Sequence, residues 1–136
     1  MNSNSFEDFK INVKLAGLWV AAMFCYLYAD VLAFFVPGHL AEIMAGEIGG
    51  MPIDDIFLLA SAGFMIPPIA MIFLSLVLKV KTNRWLNIIV GIVYTLIGIG
   101  MVVMAVMSFS VGYLVYGIVE SILTALIIWH AWTWPK

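Results

Sequence analysis

Two carboxylates stand inside long apolar runs: Asp30 in the stretch 11–36 and Glu120 in the stretch 111–134. An ionisable side chain at hydrocarbon depth is costly and almost always faces protein or a water-filled cavity. Tyr26, four residues before Asp30, shares its helix face. Tyr113, Tyr116, Glu120 and Thr124 fall along one side of the last run. If the first and last runs pack together, these groups form an acidic, aromatic pocket. Such a pocket suits a cationic or polar-headed amphiphile, because carboxylates and tyrosine faces both attract cations. In a second arrangement one carboxyl is protonated and bonds the other, or bonds a tyrosine, and simply locks two helices together.

Other chemistries find little support. The single cysteine, Cys25, excludes an intrachain disulfide and a Cys-x-x-Cys pair, and its apolar setting fits a buried structural thiol. His39 and His130 belong to opposite ends of the expected fold, and neither has a metal-ligand spacing around it. Ser61, Ser75, Ser108, Ser110 and Ser121 have no histidine at a recognisable spacing, so a hydrolytic nucleophile is not indicated. No metal and no cofactor are expected, and no catalytic residue is assigned. Asn83, Arg84 and Asn87 read as a polar edge at the start of the third run, suited to helix capping and headgroup contact.

The elements that must position these residues are four apolar runs, at about 11–36, 56–78, 85–107 and 111–134. Each is long enough to cross a hydrocarbon core, which takes about 20 helical residues. Pro37-Gly38 stops the first, Asp54 and Asp55 can cap the second, and Pro135 stops the last. No period of two runs through them, so a β-barrel is not expected. The turn 108–112 is short, which makes helices three and four antiparallel neighbours. Pro67-Pro68 removes two backbone donors from the middle of the second helix, and the freed carbonyls need partners or must line a cavity. Gly91, Thr95 and Gly98 form a close-packing stripe for another helix or another subunit. Between the first two runs, Leu40, Ile43, Met44 and Ile48 share a helical face, which predicts a short amphipathic helix.

Composition agrees. Of 136 residues, 65% are hydrophobic and 10% charged, and a soluble domain this short cannot hide that much apolar surface. The net charge of −2, without a basic cluster, argues against nucleic acid as a partner. Lys10, Lys14, Lys79, Lys81, Arg84 and Lys136 all fall on one side of the four-span topology. Glu42, Glu47, Asp54 and Asp55 fall on the other. By the positive-inside rule both termini are cytoplasmic, and the pocket opens outward. Trp85, Trp129, Trp132 and Trp134 are placed as interfacial anchors, while Trp19 is deeper and can pack between helices.

Leu18-Trp19, Tyr28-Ala29-Asp30, Pro37-Gly38, the stretch 68–75, Asn83-Arg84-Trp85-Leu86-Asn87, Glu120 and the ending Trp129-His130-Ala131-Trp132 carry a resemblance over nearly the whole chain. The sequence resembles an uncharacterised prokaryotic family of small four-helix membrane proteins, a domain of unknown function. The resemblance implies an all-α fold and a prokaryotic inner membrane, and it brings no activity. In outline the chain is also similar to small multidrug exporters, which use a membrane acid in helix one, and to the sterol-isomerase-like group, which binds amphiphiles between paired acids and aromatics. Neither matches residue by residue.

The sequence thus predicts an all-α, single-domain, four-helix integral membrane bundle surrounded by lipid. The leading expectation is a binding protein for a lipid or an amphiphilic, cationic small molecule, held by Glu120, Asp30, Tyr26, Tyr116, Tyr113 and Thr124. Alternatives are an oligomeric proton-coupled transporter, an isomerase-like membrane enzyme, and an accessory subunit of a larger complex. Any homo-oligomer is expected to form through the Gly91/Thr95/Gly98 face.

Overall fold

The computed structural model, which describes residues 3–107 and 111–134, extends the first helix well past its apolar part. Helix α1 spans Ser3–Ala33. Its polar beginning is supported by a Lys10–Glu7 ion pair of 2.9 Å, one turn apart, and by Asp8, which accepts the Trp134 indole N–H at 2.7 Å. Before Pro37 the chain tightens into successive turns (Phe34 N to Val31 O at 3.2 Å, Val36 N to Ala33 O at 3.0 Å), and α1 ends.

Gly38, at φ 86°, launches the short α2, His39–Met44. A two-residue hairpin follows, β1 (Glu47–Ile48) pairing antiparallel with β2 (Met51–Pro52). Gly49 and Gly50 form its turn at φ 57° and 76°, the positive values such a turn demands. No residue of α2 is buried, and Leu40 and Met44 turn apolar surface away from the protein.

Helix α3, Asp55–Val77, begins at Asp54, whose carboxylate accepts the Phe57 N–H at 2.8 Å. Helix α4, Val80–Met107, follows after two residues. Helix α5 spans Val111–Trp132. Four of these helices, all but α2, are long and apolar enough to cross a membrane. The turn expected at 108–112 falls mostly outside the described residues, as do Pro135 and Lys136. The antiparallel pairing of α4 with α5 is nevertheless clear, since Gly91 meets Ile128 while Gly98 meets Ser121.

The four long helices pack in the order α3, α1, α5, α4, with a lesser contact closing α3 to α4. Leu15, Trp19, Met71, Ile88, Ile127 and Ala131 fill the centre. The outer surface is largely apolar, as expected of a bundle whose covering is lipid. Arg84 donates to the Trp132 carbonyl at 2.9 Å, so the start of α4 and the end of α5 meet near Asp8 and Trp134. All the described lysines and arginines lie at this end, called here the basic end; the opposite end, with Glu42, Glu47, Asp54 and Asp55, is the acidic end.

The small-residue stripe of α4 is taken up inside the chain. A Cβ on Gly91 would come within 2.8 Å of Ile128 Cγ1, and one on Gly98 within 2.7 Å of Ser121 Oγ. Thr95 Oγ1 lies 2.8 Å from Thr124 Oγ1 across the same seam. Of the two partners expected for the stripe, another helix or another subunit, α5 of the same chain packs on it.

Candidate functional site

The seam between α1 and α5 brings together two of the residues singled out by type. Tyr26 donates its hydroxyl to Glu120 Oε1, and both side chains are buried. Gly98 makes room for this pair, since a methyl there would lie 3.2 Å from Glu120 Oε1. Thr124, one turn along α5, returns its hydroxyl to the Glu120 carbonyl at 3.0 Å and supports the helix seam, not the carboxyl. Every fully buried side-chain nitrogen or oxygen among the described residues has a partner. Glu120 Oε2 accepts no bond among them, so it retains contact with the space around it.

Asp30 is not part of this pair. Tyr26 and Asp30 share a face only loosely, because four residues advance a helix by about 400°, a drift of about 40°. That drift leaves Tyr26 buried and turns Asp30 towards α3. There it borders a groove of ≈ 430 Å³ with Phe57, Ala60, Ser61, Phe64 and Met65. Asp30 has no hydrogen-bond or ion-pair partner among the described residues; the ion pairs there are Lys10–Glu7 and His39–Glu42. Tyr113 and Tyr116 line a separate, smaller crevice of ≈ 140 Å³ with Ala29, Leu32 and Val36. The six expected site residues are thus divided among a buried pair, a groove, a crevice and a helix seam.

Phe64 links groove and pair. It lines the groove, and its ring stands edge-on to Tyr26 at 5.9 Å and tilted against Tyr94 at 5.3 Å. Helix α3 continues through Pro67-Pro68 without interruption. Pro68 has no N–H for the carbonyl four residues back, which is that of Phe64. The Tyr94 hydroxyl supplies the missing donor. Tyr94 was not legible as a site residue, although the need for a donor opposite Pro67-Pro68 was its signal.

A second polar cluster, missed by the sequence reading, closes the basic end. Asn83 and Asn87 are fully buried, not the headgroup edge expected of them. Asn87 Oδ1 accepts the Trp19 indole N–H at 2.7 Å, and its amide donates to Asn83 Oδ1 at 2.7 Å and Asn83 O at 2.9 Å. Asn83 in turn donates to the Ser75 carbonyl at 2.7 Å and to Asn12 Oδ1 at 3.0 Å. Satisfied polar groups on α1, α3 and α4 fix the register of those helices. The spacing of Asn83 and Asn87, one turn apart on the face that continues to Gly91, Tyr94 and Gly98, was the available signal.

Among the described residues no group of three or more His, Cys, Asp or Glu side chains could hold a metal ion. No curated protein and no solved structure matches the chain. A family of unknown function (DUF6326) matches residues 5–136, nearly the full length. The chain therefore belongs to this family, as a four-helix member with an acid–tyrosine pair at its centre and an acidic groove beside it.

Proposed function

We propose that this protein is a multi-pass protein of a prokaryotic inner membrane that binds an amphiphile with a cationic head in the groove between α1 and α3. The observation that carries this reading is Asp30: a carboxylate without a hydrogen-bond or ion-pair partner among the described residues, bordering an apolar and aromatic groove. The groove volume falls within the usual range of small-molecule sites, about 300–1,000 Å³. Phe57 and Phe64 bring aromatic rings to the groove, Ser61 brings a hydroxyl, and the apolar flank of α3 runs on as a surface for an alkyl chain. The five described cations gathered at the basic end support a cytoplasmic position for that end, so the groove faces the outer half of the membrane. The amphipathic α2 then lies at the outer interface.

The test uses the purified protein in lipid nanodiscs and titration calorimetry with dodecylammonium. A charge-assisted hydrogen bond contributes about 1.5–3 kcal/mol, so Asp30→Asn is expected to weaken binding by about 10- to 100-fold. Dodecyl sulfate, with the same tail and opposite charge, is expected not to bind the wild type. Equal binding of both amphiphiles, or an unchanged affinity in Asp30→Asn, would overturn the reading.

A further inference from the structure

Helix α3 is held very unevenly. Its buried residues are Pro68, Met71 and Ser75, all from the second proline onward; the segment 55–67 buries none. The half towards the basic end is fastened by Ser75, whose carbonyl accepts Asn83 Nδ2 at 2.7 Å and whose hydroxyl lies 3.3 Å from Asn87 Oδ1. Among the described residues, the half towards the acidic end is tethered to the other long helices by one hydrogen bond, the Phe64 carbonyl accepting from the Tyr94 hydroxyl. The two halves join at Pro67-Pro68, where backbone hydrogen bonds are missing and helices bend. Phe64, on the loosely held half, covers Tyr26, and Tyr26 holds Glu120.

We infer that Phe64 is a gate between the Asp30 groove and a second, deeper acidic subsite formed by Glu120 and Tyr26. The segment 55–67 is the moving leaf, Pro67-Pro68 the hinge and the Tyr94 hydroxyl the latch. Swinging the leaf away from α1 takes the Phe64 ring off Tyr26 and joins the Glu120 carboxyl to the groove. Glu120 Oε2, which accepts no bond among the described residues, is the free acceptor there. Asp30 at the mouth and Glu120 at the base suit a head with two cationic groups in line, such as an alkyl diamine. The ligand class rests on the amphiphile-binding reading; the gate does not.

Labelling of Glu120 by an apolar carbodiimide, read by mass spectrometry of its peptide, tests the gate without any ligand. Tyr94→Phe removes the latch and keeps the ring. It is expected to label about tenfold faster than wild type, the effect of losing one buried hydrogen bond. Adding Pro68→Ala restores an N–H at position 68 for the Phe64 carbonyl, so Tyr94→Phe/Pro68→Ala is expected to return to the wild-type rate. An unchanged rate in Tyr94→Phe would overturn the latch. A fast rate that Pro68→Ala does not rescue would also overturn it, because general loosening of the core would then explain the label. With Tyr94→Phe, N-dodecyl-1,3-diaminopropane is expected to slow labelling and dodecyl sulfate to leave it unchanged; equal protection by both would remove the subsite. If dodecylammonium fails to bind the wild type while the labelling ratios hold, the groove reading falls and the gate stands.

Discussion

Replacing Asn87 with alanine is expected to destabilise the folded bundle by about 3 kcal/mol, although Asn87 touches neither acid. The side chain joins three helices: it accepts from Trp19 on α1, lies 3.3 Å from the Ser75 hydroxyl on α3, and donates within α4 to Asn83. Single interhelical hydrogen bonds in membranes contribute modestly, about 0.6 kcal/mol on average and up to about 1.7. One such bond would not decide the fold. Removing Asn87 breaks several at once and leaves the Trp19 N–H in a dry interior, and a stranded buried donor costs about 1–3 kcal/mol by itself. Reversible unfolding in mixed micelles, followed by helicity, measures the change. A loss below about 0.5 kcal/mol would mean that the amides at this end are wet and that their network does not set the helix register.

Gly98→Ile is expected to cost a similar amount by a different route. The Cβ of any side chain there would approach Ser121 Oγ to 2.7 Å, with Glu120 Oε1 at 3.2 Å and the Ser121 backbone nitrogen at 3.5 Å. Ser121 N belongs to the α5 backbone and Ser121 Oγ is two bonds from it, so a branched side chain at position 98 is relieved chiefly by separating the two helices. Overpacking of this kind costs about 1–3 kcal/mol, and a branched side chain falls at the upper end. The displacement also pulls Glu120 from Tyr26. Gly100→Ile is the control, since a Cβ there meets nothing within 4 Å. The same unfolding assay should show a large loss for position 98 and almost none for position 100. Comparable losses at both would contradict the α4–α5 seam.

Much of this architecture could be read from the chain because hydrophobic length is a local property. The four spans, the Asp54 cap and the turn at Pro37-Gly38 each follow from a few neighbouring residues, and the structure has them. Helix α4 starts at Val80 and not at 85, and Asn83 in its first turn is buried, bonded to α1 and α3. Sequence polarity cannot distinguish an asparagine at a lipid headgroup from one bonded to Asn12, 71 residues away. Glu120 was singled out because a membrane acid is rarely idle, yet its bond to Tyr26 spans 94 residues and depends on how α1 and α5 rotate about their axes. Asp30 shows the same dependence in reverse: one turn from Tyr26, it turns away from the buried pair and faces the groove. The small residues of α4 announced a tight seam, but not which helix would fill it.

Head-group photocrosslinking tests directly whether the α1–α3 groove beside Asp30 receives a cationic amphiphile. An alkylammonium with a diazirine next to its nitrogen is irradiated with the protein in nanodiscs, and the labelled peptides are sequenced by mass spectrometry. Labelling is expected to concentrate on Phe57, Ser61 and Phe64, to be displaced by excess dodecylammonium and to be lost in Asp30→Asn. Labelling centred on the Tyr113–Tyr116 crevice, or spread over the lipid-facing helices and indifferent to Asp30, would contradict the groove reading.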